Sequence, residues 1–334
     1  MILLWMVAFS ACNHDVSPEM QSIRRSHLAA IDSVMQQRPD SALVLLLDCR
    51  DAARHVSTGP TDRHYYQLLL SEALYKNDST QANRKELQQA MTYYDSLCSC
   101  KDVACNVSTI AFLSARSHYM NGVGYYENDS AVEACMEYMK ALDIMQNHFE
   151  EKELVGYKAK FMALTYTHLS GLFSDLYLHK QAIYFGKWAL DYYQKCDATP
   201  WHIAWMLNAI GAQYDMMDNY DSAWMCYEEG IKSLPDTNNI TYRDLATRLA
   251  YLSYKKDDTK KTALFQIQNL ISLSESEKEC LSRHLTIGEV FFNETMFDSA
   301  WIHLDKVFHE AQSIASKKNS RTKAGGDMRF PASR

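Results

Sequence analysis

The strongest constraint on this chain lies between Ala204 and Asp236 (AWMLNAIGAQYDMMDNYDSAWMCYEEGIKSLPD), where apolar residues recur with helical period on both sides of a polar break. Leu207, Ile210, Gly211 and Tyr214 share one face of a first helix, because residues three and four apart are helix neighbours. Ala223, Tyr227 and Gly230 share one face of a second. Gly211 and Ala223 leave room for the two helices to approach closely, and a larger side chain at either place would force them apart. Asp218-Asn219 is turn chemistry, and Asp221 or Ser222 is placed to cap the second helix. The segment buries both faces only as an antiparallel helical hairpin.

The same template recurs along the chain. Gly122, Tyr125, Ala134, Tyr138 and Ala141 occupy the equivalent places around Ser114 to Gln146. Leu169, Ser170, Phe173, Ala182 and Ala189 do so around Ala163 to Lys195, with Gly186 where an aromatic is expected. Tyr254, Ala263 and Leu270 fit around Asp244 to Leu273, but Tyr251 falls where a small residue belongs. Ile287, Gly288, Phe291, Phe297, Ala300, Leu304 and Val307 fit around Leu281 to Ile314. Upstream, Met20 to Gln37 with Pro39 to Ala53, and Asp62 to Tyr75 with Arg84 to Leu97, read as two further helical pairs. Thr199 and Pro200 suit the cap and first residue of a helix.

The repeat resembles the tetratricopeptide repeat (TPR). That resemblance implies an all-α fold, a right-handed α-solenoid of about seven antiparallel helix hairpins. Composition agrees with helix: only 11 Gly and six Pro in 334 residues leave few turn formers for a sheet. A net charge of −7 disfavours nucleic acid, whose phosphates demand a basic face.

The ends differ from the repeats. Residues 1–11 (MILLWMVAFSA) are apolar throughout and too short to span a bilayer as a helix, which needs about 20 residues. They read as a signal peptide of lipoprotein type ending before Cys12, the lipidation site, with residues 12–21 as a polar tether. Residues 22–100 form the N-terminal helical hairpins and 101–316 the TPR solenoid. Residues 317–334 carry six basic and one acidic residue with no apolar period, and read as a disordered basic tail.

The stretches Ala30-Ile31-Asp32-Ser33-Val34 and Arg38-Pro39-Asp40-Ser41-Ala42-Leu43 resemble the opening of a lipobox-bearing TPR family common in Bacteroidota, as does Asp62 to Leu70. This resemblance implies a protein of the bacterial cell envelope, lipid-anchored and facing the periplasm. Members often continue into a membrane span and an output region. An alternative is therefore the periplasmic sensory part of a truncated membrane-bound transcriptional regulator. A cytoplasmic scaffold is the reading if Cys12 is not modified.

Chemistry is sparse. Asn121-Gly122-Val123-Gly124 lacks the third Gly of a dinucleotide loop and falls inside a helix, and nucleophile-elbow, zincin and P-loop motifs are missing. His118, His168, His179 and His202 stand singly on helices and read as solvated or satisfied residues. Of nine Cys, only Cys98, Cys100 and Cys105 cluster, in a stretch read as an inter-hairpin loop where a disulfide is conceivable in an oxidising compartment. No catalytic residue, cofactor, metal site or small-molecule substrate is expected. The expectation is a non-enzymatic scaffold or adaptor with a protein or peptide partner. Its candidate surface is the concave side, where helical period brings together Arg116, Tyr119 and Tyr126 in one repeat, and Trp205, Asn208 and Asp215 in another. The first helices carry Tyr119, Thr167, Asn208 and Leu285 where chaperone-tail-binding TPR proteins place a Lys, which disfavours that ligand class.

Overall fold

A computed structural model describes residues 18–55, 59–77, 84–99, 107–196, 198–235, 239–256 and 277–326. Among these residues there are helices and no strands. One unit ends at His148 and contains α1 (Pro18–Met35), α2 (Pro39–His55), α3 (Pro60–Lys76), α4 (Arg84–Ser99), α5 (Val107–Tyr126) and α6 (Ala131–His148). The other starts at Phe149 and contains α7 (Gly156–Asp175), α8 (His179–Gln194), α9 (Pro200–Asp215), α10 (Tyr220–Ser233), α11 (Ile240–Lys256), α12 (Glu277–Asn293) and α13 (Phe297–Gly326). Antiparallel hairpins form from α1–α2, α3–α4 and α5–α6 in the first unit and from α7–α8, α9–α10 and α12–α13 in the second, where α11 packs on α9 and α10.

Four hairpin turns repeat one backbone solution. Asp129, Tyr177, Asp218 and Thr295 all adopt left-handed φ, between 57° and 60°. Around each, the chain closes the helix with two bonds: Ser130 N–H to Tyr125 C=O at 3.0 Å and Asp129 N–H to Tyr126 C=O at 3.1 Å in the first. Leu178 to Phe173, Asn219 to Tyr214 and Met296 to Phe291 repeat the longer bond, each at 2.9 Å. This is the Schellman closure, which satisfies the last carbonyls of a helix. It is held here by residues other than glycine, at a cost that the packed hairpin absorbs. Five residues after each left-handed position comes the buried alanine: Ala134, Ala182, Ala223 and Ala300. The turn therefore sets the register of the second helix.

Within the hairpins, small residues face large ones. A Cβ on Gly211 would lie 2.4 Å from the Tyr227 ring, one on Gly122 2.7 Å from Tyr138, and one on Gly288 2.8 Å from Leu304. Tyr138 and Tyr227 are fully buried in these contacts. The α7–α8 hairpin uses a different pairing. Ser170 holds the small position and donates its hydroxyl to the Ala182 carbonyl at 2.8 Å, and Gly186 replaces the ring. Ile210 of the following hairpin fills the space, 2.8 Å from where a Gly186 Cβ would sit.

The local readings need five adjustments. Asn219, not Asp221 or Ser222, caps α10, accepting a bond from the Ser222 N–H at 3.2 Å. Thr199 does precede Pro200 at the start of α9, yet its hydroxyl pairs with the His202 ring at 2.7 Å and makes no cap bond. Helix α1 begins at Pro18, inside the stretch read as a tether, and α13 continues helically to Gly326, past the expected start of the tail at Lys317. Cys98 lies on α4 with a free thiol, whereas Cys12, Cys100, Cys105, Ala263 and Leu270 lie outside the described residues.

Gly211→Leu is expected to overpack α9 against Tyr227 and to cost about 1–3 kcal/mol. Urea denaturation of the variant beside the wild-type chain measures it, and an unchanged midpoint would mean the contact does not set the helix spacing.

Candidate interaction surface

The first helices of successive hairpins differ sharply between the two units. In the first, Arg116 is 2% exposed and its guanidinium is fully engaged. It donates to both Asp32 carboxylate oxygens, at 2.7 and 2.9 Å, and to both Glu72 oxygens, at 2.8 and 2.6 Å. The Tyr65 hydroxyl donates to Asp32 at 2.8 Å. One guanidinium thus ties α1, α3 and α5 together. Burial pushes the Asp32 carboxyl up, but the charge and hydrogen bonds of Arg116 prevail and hold it below its ordinary value. Tyr119 is also buried, its ring 5.9 Å from that of Tyr138, and Tyr126 is half-buried.

Arg116 and Tyr119 therefore do not form a displayed surface as the repeat register suggested. The register places them on the correct helix face, but acidic residues 44 and 84 positions away fold over that face. No periodicity in the sequence signals partners at such separations.

A second network was equally hidden. His118, read as a solvated or satisfied residue, is of the satisfied kind, 1% exposed between two carboxylates. Its Nδ1 lies 2.5 Å from Glu137 on α6 and its Nε2 3.0 Å from Asp95 on α4. Asp95 also accepts from Ser114 at 2.7 Å and Lys140 at 3.0 Å. Burial pulls the imidazole down, but the bonds and charges of Asp95 and Glu137 outweigh it and raise its pKa above the ordinary value.

In the second unit the corresponding position carries an exposed side chain: Trp205 is 42% exposed on α9. One turn on, the Asn208 side-chain oxygen is buried without a hydrogen-bond partner. Asp215 pairs with Lys255 at 3.5 Å, and that ammonium lies 4.9 Å from the Tyr220 ring and 4.6 Å from the Tyr251 ring. Trp205, Asn208 and Asp215 thus follow one another along α9. Of these, the exposed Trp205 ring can take apolar contacts from an extended ligand. Among the described residues, no three His, Cys, Asp or Glu side chains converge as a metal site.

Repeated hairpins with alternating small and large contacts define a TPR-like helical-repeat fold. Solved structures that resemble it are of that kind. The apo quorum sensor NprR from B. thuringiensis superposes with a TM-score of 0.64 at 17% identity, over 91% of this chain and 79% of that one. NprR in complex with its cognate peptide NprX gives 0.63 at 15%, over 88% and 80%. The apo form of RapI gives 0.60 at 11%, over 88% and 99%. No protein-family model and no curated protein matches the sequence.

The histidines make opposite pH predictions. His118 has a raised pKa, so its contribution is complete below the unfolded value of about 6.5 and is lost as pH rises through the folded value. His284 and His303 bond through their Nδ1 atoms at 2.8 Å across α12 and α13. Burial lowers both, the charge of Lys306 lowers both further, and the neighbouring His284 adds to the lowering of His303. Their contribution is complete above about 6.5 and is lost as pH falls towards their folded values. Protection factors from hydrogen exchange should then fall in α4–α6 on raising the pH and in α12–α13 on lowering it. His118→Gln should abolish the first slope and leave the second.

Proposed function

We propose that the chain is a non-enzymatic, TPR-type interaction adaptor that takes an extended peptide on the open face of its second unit. One contrast carries this reading. The first unit fills its equivalent face with the Arg116 ion pairs, while α9 leaves Trp205 exposed. Likeness to NprR, solved with its cognate peptide, supports the choice of ligand class.

The reading extends to location. The apolar start before Cys12 supports export and lipid anchoring in a bacterial envelope, facing the periplasm. No described helix is long and apolar enough to cross a membrane. The alternative, a sensory part of a membrane-bound regulator, uses the same face, and likeness to a quorum sensor favours keeping it.

The test is selection from a random peptide display library on the purified chain, followed by titration of the selected peptide. Trp205→Ala and Asn208→Ala should each weaken binding about tenfold or more, as for residues at the centre of an interface. Equal affinities in wild type and both variants would place the ligand elsewhere. Tagged chain with Cys12→Ala, fractionated beside the wild type, decides the anchor.

A further inference from the structure

Helix α13 carries two features that the adaptor reading does not use. Phe297, Trp301 and Phe308 are 58%, 69% and 59% exposed. Their spacings of four and seven put them on one stripe of the helix. Phe292 and Met296, at the turn leading into it, are exposed as well. Soluble proteins seldom display so dense an aromatic row without a partner. The second feature is charge. In a chain of net charge −7, the helix continues into Lys317, Lys318, Arg321 and Lys323, and residues 317–334 hold six basic and one acidic residue.

We propose that α13 is a docking helix for an anionic lipid bilayer. A bilayer surface answers both features together. Aromatic side chains settle at the headgroup boundary, where an apolar body and a polar surrounding are both satisfied. Lysines and arginines further along the same helix gain from the negative lipid surface, about fivefold in partition for each. An apolar stripe that runs into a cationic end suits a helix that lies in the interface plane. This docking is separate from the peptide face on α9 and from Cys12, and stands or falls without either.

The experiment is co-sedimentation of the full chain with vesicles of phosphatidylcholine alone or mixed with phosphatidylglycerol, at low and high salt. The N-terminal apolar segment is common to every variant, so differences between variants report α13. The wild type should bind the anionic vesicles more tightly, and high salt should remove the difference. Trp301→Asp with Phe308→Asp, and separately Lys317→Glu with Lys318→Glu and Arg321→Glu, should each reduce anionic binding tenfold or more. Circular dichroism verifies that the variants stay folded, since the replaced aromatics are exposed. Equal binding to both vesicle types, or variants that bind like the wild type, would overturn the proposal. So would a loss of self-association on replacing Trp301, measured by analytical ultracentrifugation, because a second copy would then occupy the stripe.

Discussion

The distance between paired helices, set by a small residue facing a large one, is the constraint from which the rest of the structure follows. Where Gly211 meets Tyr227, or Gly122 meets Tyr138, the ring lies directly over the neighbouring backbone. Close approach buries the ring completely and leaves the second helix one register in which to sit. The left-handed turn before it and the buried alanine five residues later agree with that register. Three local features with independent physical causes thus specify the same hairpin, which is the consistency expected of a sequence with one stable fold. The α7–α8 hairpin shows that volume matters more than identity. Removing the ring at Gly186 is answered by Ile210 from the next hairpin, so the core stays filled although the motif is broken.

The hairpins alone do not fix how successive pairs meet, and buried charges contribute to this in both units. In the first, a single buried guanidinium spans α1, α3 and α5, and a buried imidazole joins α4, α5 and α6. Taking such charges out of water is costly, so these networks are weak evidence of added stability. They are strong evidence of specificity, because any other stacking would leave Arg116 or His118 buried without its carboxylates. In the second unit buried Arg283 of α12 reaches Asp244 of α11 at 3.3 Å. Apolar contacts act beside it: Gly230 admits Leu245 of α11, and Tyr227, Leu245 and Leu252 share one cluster.

The fold was legible because its determinants are local. Gly211, Ala223 and Tyr227 lie within one hairpin, and helical period alone relates them. Pro39 and Pro200 likewise mark helix starts through the geometry of their own rings. Smaller local choices were harder. Asn219 and Asp221 are both good caps, and only the turn conformation decides that Asn219 takes the role. The buried networks were illegible for another reason. Arg116 depends on Asp32, 84 residues earlier, and nothing in either segment announces the pairing.

The same asymmetry limits what a repeat register can say about function. Arg116 and Tyr119 occupy the places in α5 that Trp205 and Asn208 occupy in α9. Yet the first pair is sealed inside the protein, and Trp205 faces solvent. Register determines which helix face a residue is on. Whether that face is open depends on which side chains the neighbouring hairpins bring to it, a property of stacking and not of the motif. In this chain the acidic residues of α1 and α3 neutralise and cover the first unit's face. On α9 the corresponding place carries Trp205, which stays exposed. The motif builds the scaffold, and charges distant in sequence decide where it can be touched.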